Sequence, residues 1–217
     1  ADWQQFRIYS GGQANISNAV IRYGGGYYFY NCSYPNVCYG AIYNDGGAAN
    51  IANSQISQNG LHGIYQKMGT LIVNNSEINN HQYGVFLAGG NATISQSSIN
   101  DDAQYGVYIA SSSVILTLTN NTFTNNVLGS AYIDGADFTH SGNTAFGTGK
   151  KGFIFSGNIS ANRTWNPDLP YIIQSLTINT GVMLTIQSGA IVLEFKHDFI
   201  PFLTQCQRNI ADGLLAF

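Results

Sequence analysis

Val73-Asn-Asn-Ser-Glu-Ile78, then Gly84-Val-Phe-Leu87, then Ile94-Ser-Gln-Ser-Ser-Ile99 is the stretch that decides the fold, because its third piece repeats its first. The six-residue frame apolar-x-Asn-Ser-x-apolar also occurs as Ile16-Ser-Asn-Ala-Val-Ile21, Ile51-Ala-Asn-Ser-Gln-Ile56 and Leu118-Thr-Asn-Asn-Thr-Phe123, and a degenerate copy is read at Phe138-Thr-His-Ser-Gly-Asn143. Successive starts lie 35, 22, 21, 24 and 20 residues apart. A near-fixed period in this range is the signature of a solenoid, in which each coil buries its apolar face only by stacking on its neighbours.

A second frame, glycine followed by apolar-aromatic-apolar, runs in phase with the first at Gly63-Ile-Tyr-Gln66, Gly84-Val-Phe-Leu87 and Gly106-Val-Tyr-Ile109, with looser copies at Ile42-Tyr43, Ala131-Tyr132-Ile133 and Phe153-Ile-Phe155. Each coil therefore holds at least two short strands, and their alternation buries one face. Ile64, Val85, Val107 and Ala131 are expected to point inward, as are Ile51, Val73, Ile94 and Leu118, and Ile56, Ile78, Ile99 and Phe123. The column Asn18, Asn53, Asn75, Gln96, Asn120 falls at a turn, where amides can bond the backbone and one another.

Composition agrees. Of 217 residues, 44% are apolar but only 9% are charged, against about 25% in an ordinary domain, and Asn, Ser, Thr, Gly and Tyr fill the gap. These residues favour strands and turns over helices. A net charge of −3 with eight Lys plus Arg lacks the clustered cations that nucleic acid requires. No run approaches the eighteen apolar residues of a membrane helix, and Ala1 is not followed by a charged-then-apolar leader. Cys32 and Cys38 flank Ser33-Tyr34-Pro35-Asn36-Val37. A bridge between them would fit a secreted or cell-surface protein, whereas three free thiols, Cys206 included, are the alternative.

These frames resemble the right-handed parallel β-helix repeat shared by pectate lyases, polygalacturonases, phage tailspikes and many surface proteins, over roughly residues 12–160. The resemblance implies an all-β chain, a single right-handed parallel β-helix with coils of about 20–24 residues; it says little of function, because those families share coils and differ in chemistry. After Thr164-Trp165-Asn166-Pro167 the alternating run Leu176–Val192 is similar to the coils of large bacterial and archaeal β-helix surface proteins, which extends the expected solenoid to residue 195. In residues 196–217, Ile200, Leu203, Ile210, Leu214 and Phe217 recur at helical spacing. That tail reads either as an amphipathic helix capping the last coil or as non-native read-through, and the chain as a fragment of a larger surface protein.

Three places could carry chemistry. The long first interval maps to an insertion at residues 24–40 that carries Tyr27, Tyr28, Tyr30 and Tyr34; long loops on rigid scaffolds commonly hold function, and these rings either stack on sugars or pack on the solenoid. Outward positions of the glycine frame give a second aromatic row, Tyr43, Tyr65, Phe86, Tyr108 and Tyr132, spanning about 19 Å at one ring per coil. A polysaccharide could lie along it, or the rings could simply stabilise the sheet. For catalysis, Asp101-Asp102 is the one adjacent acidic pair; counted back from the strand glycines, Asp102 shares a column with Asn59, Asn80 and Asn125, and His81 sits one column over, within reach as an acid–base partner. As turn residues the two aspartates need no catalytic role.

The polygalacturonase pattern is missing, its nearest match being Leu61-His62-Gly63. The calcium-binding acidic cluster and arginine base of pectate lyases are missing too, since Arg7, Arg22, Arg163 and Arg208 are scattered. No cofactor is indicated, calcium being the one ion to consider. An ice-binding array needs threonines in register over several coils, and Thr117, Thr119, Thr122 and Thr124 cluster in one. The expected function is therefore that of an extracellular carbohydrate-associated or adhesive solenoid binding polysaccharide or a cell-surface glycan through exposed aromatics. A polysaccharide hydrolase or lyase using His81, Asp101 and Asp102 is the alternative, and a structural stalk the second. End-to-end or tail-mediated self-association is the other partner expected, because solenoid ends are pairing edges.

Overall fold

A computed structural model describes residues 3, 5–24 and 40–194, and every described secondary-structure element is a strand. They form a parallel β-solenoid of about seven turns. Most of the insertion (residues 25–39) and the tail (195–217) lie outside the described residues, and with them Tyr27, Tyr28, Tyr30, Tyr34, Cys32, Cys38 and the expected capping helix. Among the described residues no helix is long and apolar enough to cross a membrane.

Each coil has three faces. The continuous strands Ile42–Ala52 and His62–Asn74 bend around two of them, so one 13-stranded sheet covers both, and a 6-stranded sheet forms the third. The two sequence frames stack in register: Ile56, Ile78, Ile99 and Phe123 pair coil to coil, as do Ile42, Ile64, Val85, Val107, Ala131 and Phe153. All twelve residues expected inside are at most 1% exposed. In the sixth coil Leu118 pairs with His140, which moves the degenerate frame two residues along from Phe138 and makes the interval 22 rather than 20. The slip arises because a two-residue shift keeps the same sheet face, and Phe138 is the more apolar of the two candidates.

The corners explain the polar composition. Asn18, Asn53, Asn75, Gln96 and Asn120 all have φ between 45° and 55°, the left-handed region that asparagine tolerates better than other side chains, and Gly142 continues the column at 67°. Asn75 Nδ2 donates to Asn53 Oδ1 at 2.6 Å. The next residue of each turn points inward and accepts from the backbone N–H one coil earlier: Ser54 N–H to Ser76 Oγ, Ser76 N–H to Ser97 Oγ, Ser97 N–H to Asn121 Oδ1, Asn121 N–H to Asn143 Oδ1 and Asn143 N–H to Asp168 Oδ1, at 2.7–3.1 Å. This ladder satisfies amides that the turns would otherwise leave buried and unpaired.

Thr93, Thr117 and Thr139 are also in register on the second face, so threonines do stack across three coils. Counting clusters within one coil had concealed this, because stacked residues are some 22 apart in sequence.

Candidate functional site

The aromatic row is built by the glycine frame, whose middle residue points out of the first face. Tyr65, Phe86, Tyr108 and Tyr132 stack with centroids 5.1, 5.1 and 4.9 Å apart and interplanar angles of 9°, 25° and 10°. All four are half-buried, with their ring faces turned on one another. Tyr43 departs from the expected exposed row. It is 3% exposed, meets Tyr65 edge-on at 5.4 Å, and lies under the Arg7 guanidinium at 4.7 Å. Beside the row runs a second one: His62 stacks on Phe86 at 4.7 Å, and Tyr83 and Tyr105 meet Tyr108 at 5.1 and 5.6 Å. Burial, then neighbouring tyrosines, raises the Tyr105 hydroxyl to about 12 and also lifts that of Tyr108, so these phenols stay protonated.

At the foot of the row Asp45 holds Arg7 and, at 2.9 Å, Lys67. Burial alone would raise this carboxyl, but the hydrogen bonds from Arg7 and Lys67 more than offset it and keep the group below its usual range.

The structure brings His81 and Asp102 together but separates Asp101 from them. The frame Ile78↔Ile99↔Phe123 places His81, Asp102 and Asn126 in one column, so His81 and Asp102 share a column instead of occupying adjacent ones. The count from the glycines slipped because Gly84 lies six positions after Ile78 but Gly106 lies seven after Ile99. The His81 N–H donates to Asp102 Oδ1 at 2.9 Å, His81 Nδ1 lies 3.3 Å from that oxygen, and both side chains are fully buried. Burial, then the neighbouring His62, pushes His81 down to about 3; burial pushes Asp102 well up. Asp101 is the exposed left-handed turn residue (φ 55°) and accepts from Asn125 Nδ2 at 2.8 Å. His62 is likewise pushed down to about 3 by burial. Sealed groups of this kind cannot meet a polymer. Among the described residues no three His, Cys, Asp or Glu side chains gather as metal ligands.

Two further features escaped the sequence reading. Asp168 ends the corner ladder: its carboxylate accepts from Asn143 N–H and Nδ2 and lies 2.9 Å from His140 Nδ1, whose Nε2 is 2.7 Å from the Tyr171 hydroxyl. The side chains of His140 and Asp168 are 2% exposed, and Trp165 stacks on Tyr171 at 4.3 Å, so the cluster seals the sixth coil against the next. Its signal was Asp168, 25 residues after Asn143 and hence at the next rung. The second feature is an open groove of about 610 Å³ along the corner, lined by Asn18, Asn53, Asn75, Gln96, Gln55 and Glu77.

The family model that describes the right-handed β-helix region matches residues 6–165. No curated protein and no solved structure matches the chain. With in-register parallel coils over the described residues of the matched span, the chain belongs to the right-handed β-helix family.

Proposed function

We propose that this solenoid is an extracellular carbohydrate-associated module that lays an extended, neutral polysaccharide along its axis. The observation that carries the reading is the half-exposed stack Tyr65, Phe86, Tyr108, Tyr132, one ring every 4.9–5.1 Å. Stacking spends the ring faces on each other, so the polymer would meet ring edges and phenol hydroxyls rather than flat platforms. Rings already fixed by their neighbours lose little entropy on binding, which is what makes tyrosine effective in recognition surfaces. The amide-lined corner groove runs parallel to the row and offers the same polar, nearly uncharged chemistry. The hydrolase or lyase alternative draws no support from His81 and Asp102, which are sealed in the core.

The test is retention of the purified chain on a panel of plant, algal and bacterial polysaccharides, with calcium and with chelator, while soluble products are assayed. Retention without products, lost in the double variant Tyr108→Phe/Tyr132→Phe at an unchanged melting temperature, is the expected result. Released oligosaccharide would overturn the binding reading in favour of an enzyme, and silence on every polymer would leave a structural stalk.

A further inference from the structure

The corner between the third face and the first carries a second ladder, Asn59, His81, Asp102 and Asn126, and one rung has the wrong chemistry for its place. Asn126 sets the pattern: its Oδ1 accepts from the Asp102 N–H at 3.2 Å, and its Nδ2 donates to the Ile99 carbonyl at 2.9 Å. Asn59 repeats it, accepting from the Gly24 N–H at 2.9 Å and donating to the Ile21 carbonyl at 3.3 Å. Ile21, Ile56, Ile78 and Ile99 are equivalent positions of successive coils. Asp102 performs the accepting half, from the His81 N–H. Its other oxygen, Oδ2, stands where the asparagines carry their NH₂, is fully buried, and has no hydrogen-bond donor facing it. The equivalent carbonyl for this rung is that of Ile78.

A carboxylate here would need a cation, and the surroundings supply none. Asn59 is oriented by the Gly24 N–H, so its Nδ2 faces His81 Nε2 at 3.2 Å and donates to it. A nitrogen that accepts carries no proton; His81 is therefore a neutral imidazole with its proton on Nδ1. At 3.3 Å the pair has the spacing of a salt bridge without its charges. The other titratable groups acting here are His62, beside His81 and itself buried and neutral, and Asp101, whose negative charge opposes a second one.

We infer that Asp102 is folded in as the neutral acid, its Oδ2–H donating to the Ile78 carbonyl as an asparagine Nδ2–H would, so that this coil junction is tightened by acid and loosened by alkali. The direction follows from linkage. An acid whose proton is held more tightly in the folded than in the unfolded chain contributes most below its unfolded value, about 3.9, and loses that contribution as the pH rises toward its folded value. Burial acts on Asp102 in that sense.

The test compares the full chain with Asp102→Asn by chemical denaturation from pH 4.5 to 8, and looks for the infrared carbonyl band of a protonated, ¹³C-labelled aspartic acid at pH 7. Asparagine supplies the missing donor without a proton to lose. The variant should unfold at higher denaturant than the wild type at pH 8, the difference should shrink severalfold by pH 4.5, and the acid band should be present in the wild type and absent from the variant. A wild type without that band, or a variant no more stable than wild type at pH 8, overturns the inference.

Discussion

Asn121 is the rung at which the corner ladder can be weighed. It is 1% exposed, takes the Ser97 N–H at 3.0 Å on Oδ1, and gives Nδ2 to the Ile94 carbonyl at 2.8 Å and to Asn143 Oδ1 at 3.1 Å. Asn121→Ala strands the Ser97 N–H in the core, at about 1–3 kcal/mol for a buried group left unpaired, and removes the amide bond to the Ile94 carbonyl, at about 0.5–1.5 kcal/mol, so the loss is about 1.5–4.5 kcal/mol. Asn143 Oδ1 still accepts the residue 121 N–H and is not orphaned. Asn121→Ser should cost about half as much, because Ser76 and Ser97 show that a serine hydroxyl at this rung accepts the previous coil's N–H. The assay is urea denaturation of the three proteins, with hydrogen exchange at the Ser97 amide as the local reporter; protection there should fall in the alanine variant and survive in the serine one. An alanine variant within about 0.5 kcal/mol of wild type, or a serine variant as damaged as alanine, would refute the ladder as a source of stability.

Glycine substitutions should separate strain from collision. Gly69→Ala combines φ of +89° with a Cβ that would sit 2.2 Å from the Gly47 carbonyl oxygen, whereas Gly181→Ala has φ of +77° and nothing within 4 Å; thermal melts should show the first losing several degrees more than the second, whose cost is about 1 kcal/mol of backbone strain alone. Phe123→Ala empties a fully buried site in the innermost stack and should cost about 3–5 kcal/mol by denaturant titration. His62, held near 3 by burial, resists protonation when folded but not when unfolded, so it erodes stability as pH drops from about 6.5 toward 3; His62→Phe should reduce by about one the protons taken up on unfolding in that window, measured from the pH dependence of the midpoint.

The fold was legible because a solenoid writes its core at a fixed period, and isoleucine after isoleucine in the Asn-Ser frame lands in one column. Legibility failed where the period alone was not enough. The off-by-one placement of His81 came from measuring across a turn whose length changes by one residue between coils, while the strand frame on the other side of that turn keeps its register. Burial of the same pair was hidden because an inward polar rung and an outward polar turn residue sit side by side in sequence, as Asp101 and Asp102 do, and differ only in the left-handed φ of the first. The His140–Asp168–Tyr171 cluster was missed because Asp168 follows a change of sequence style at Trp165, although the ladder continues through it.

The row on the first face is where stability and recognition can be told apart residue by residue. Phe86 stacks at 5.1 Å on both sides, the same spacing the tyrosines keep, so ring packing by itself does not select a hydroxyl. Three of the four stacked positions nonetheless carry one, on a face half open to solvent, and the neighbouring Tyr83, half-buried, and Tyr105, buried, carry two more. A stalk needs only the rings. If the hydroxyls serve binding, replacing those of Tyr108 and Tyr132 by hydrogen leaves the stack and the melting temperature intact while glycan retention falls; if they merely keep an aromatic surface hydrated, the same variant retains every glycan the wild type does and loses only solubility.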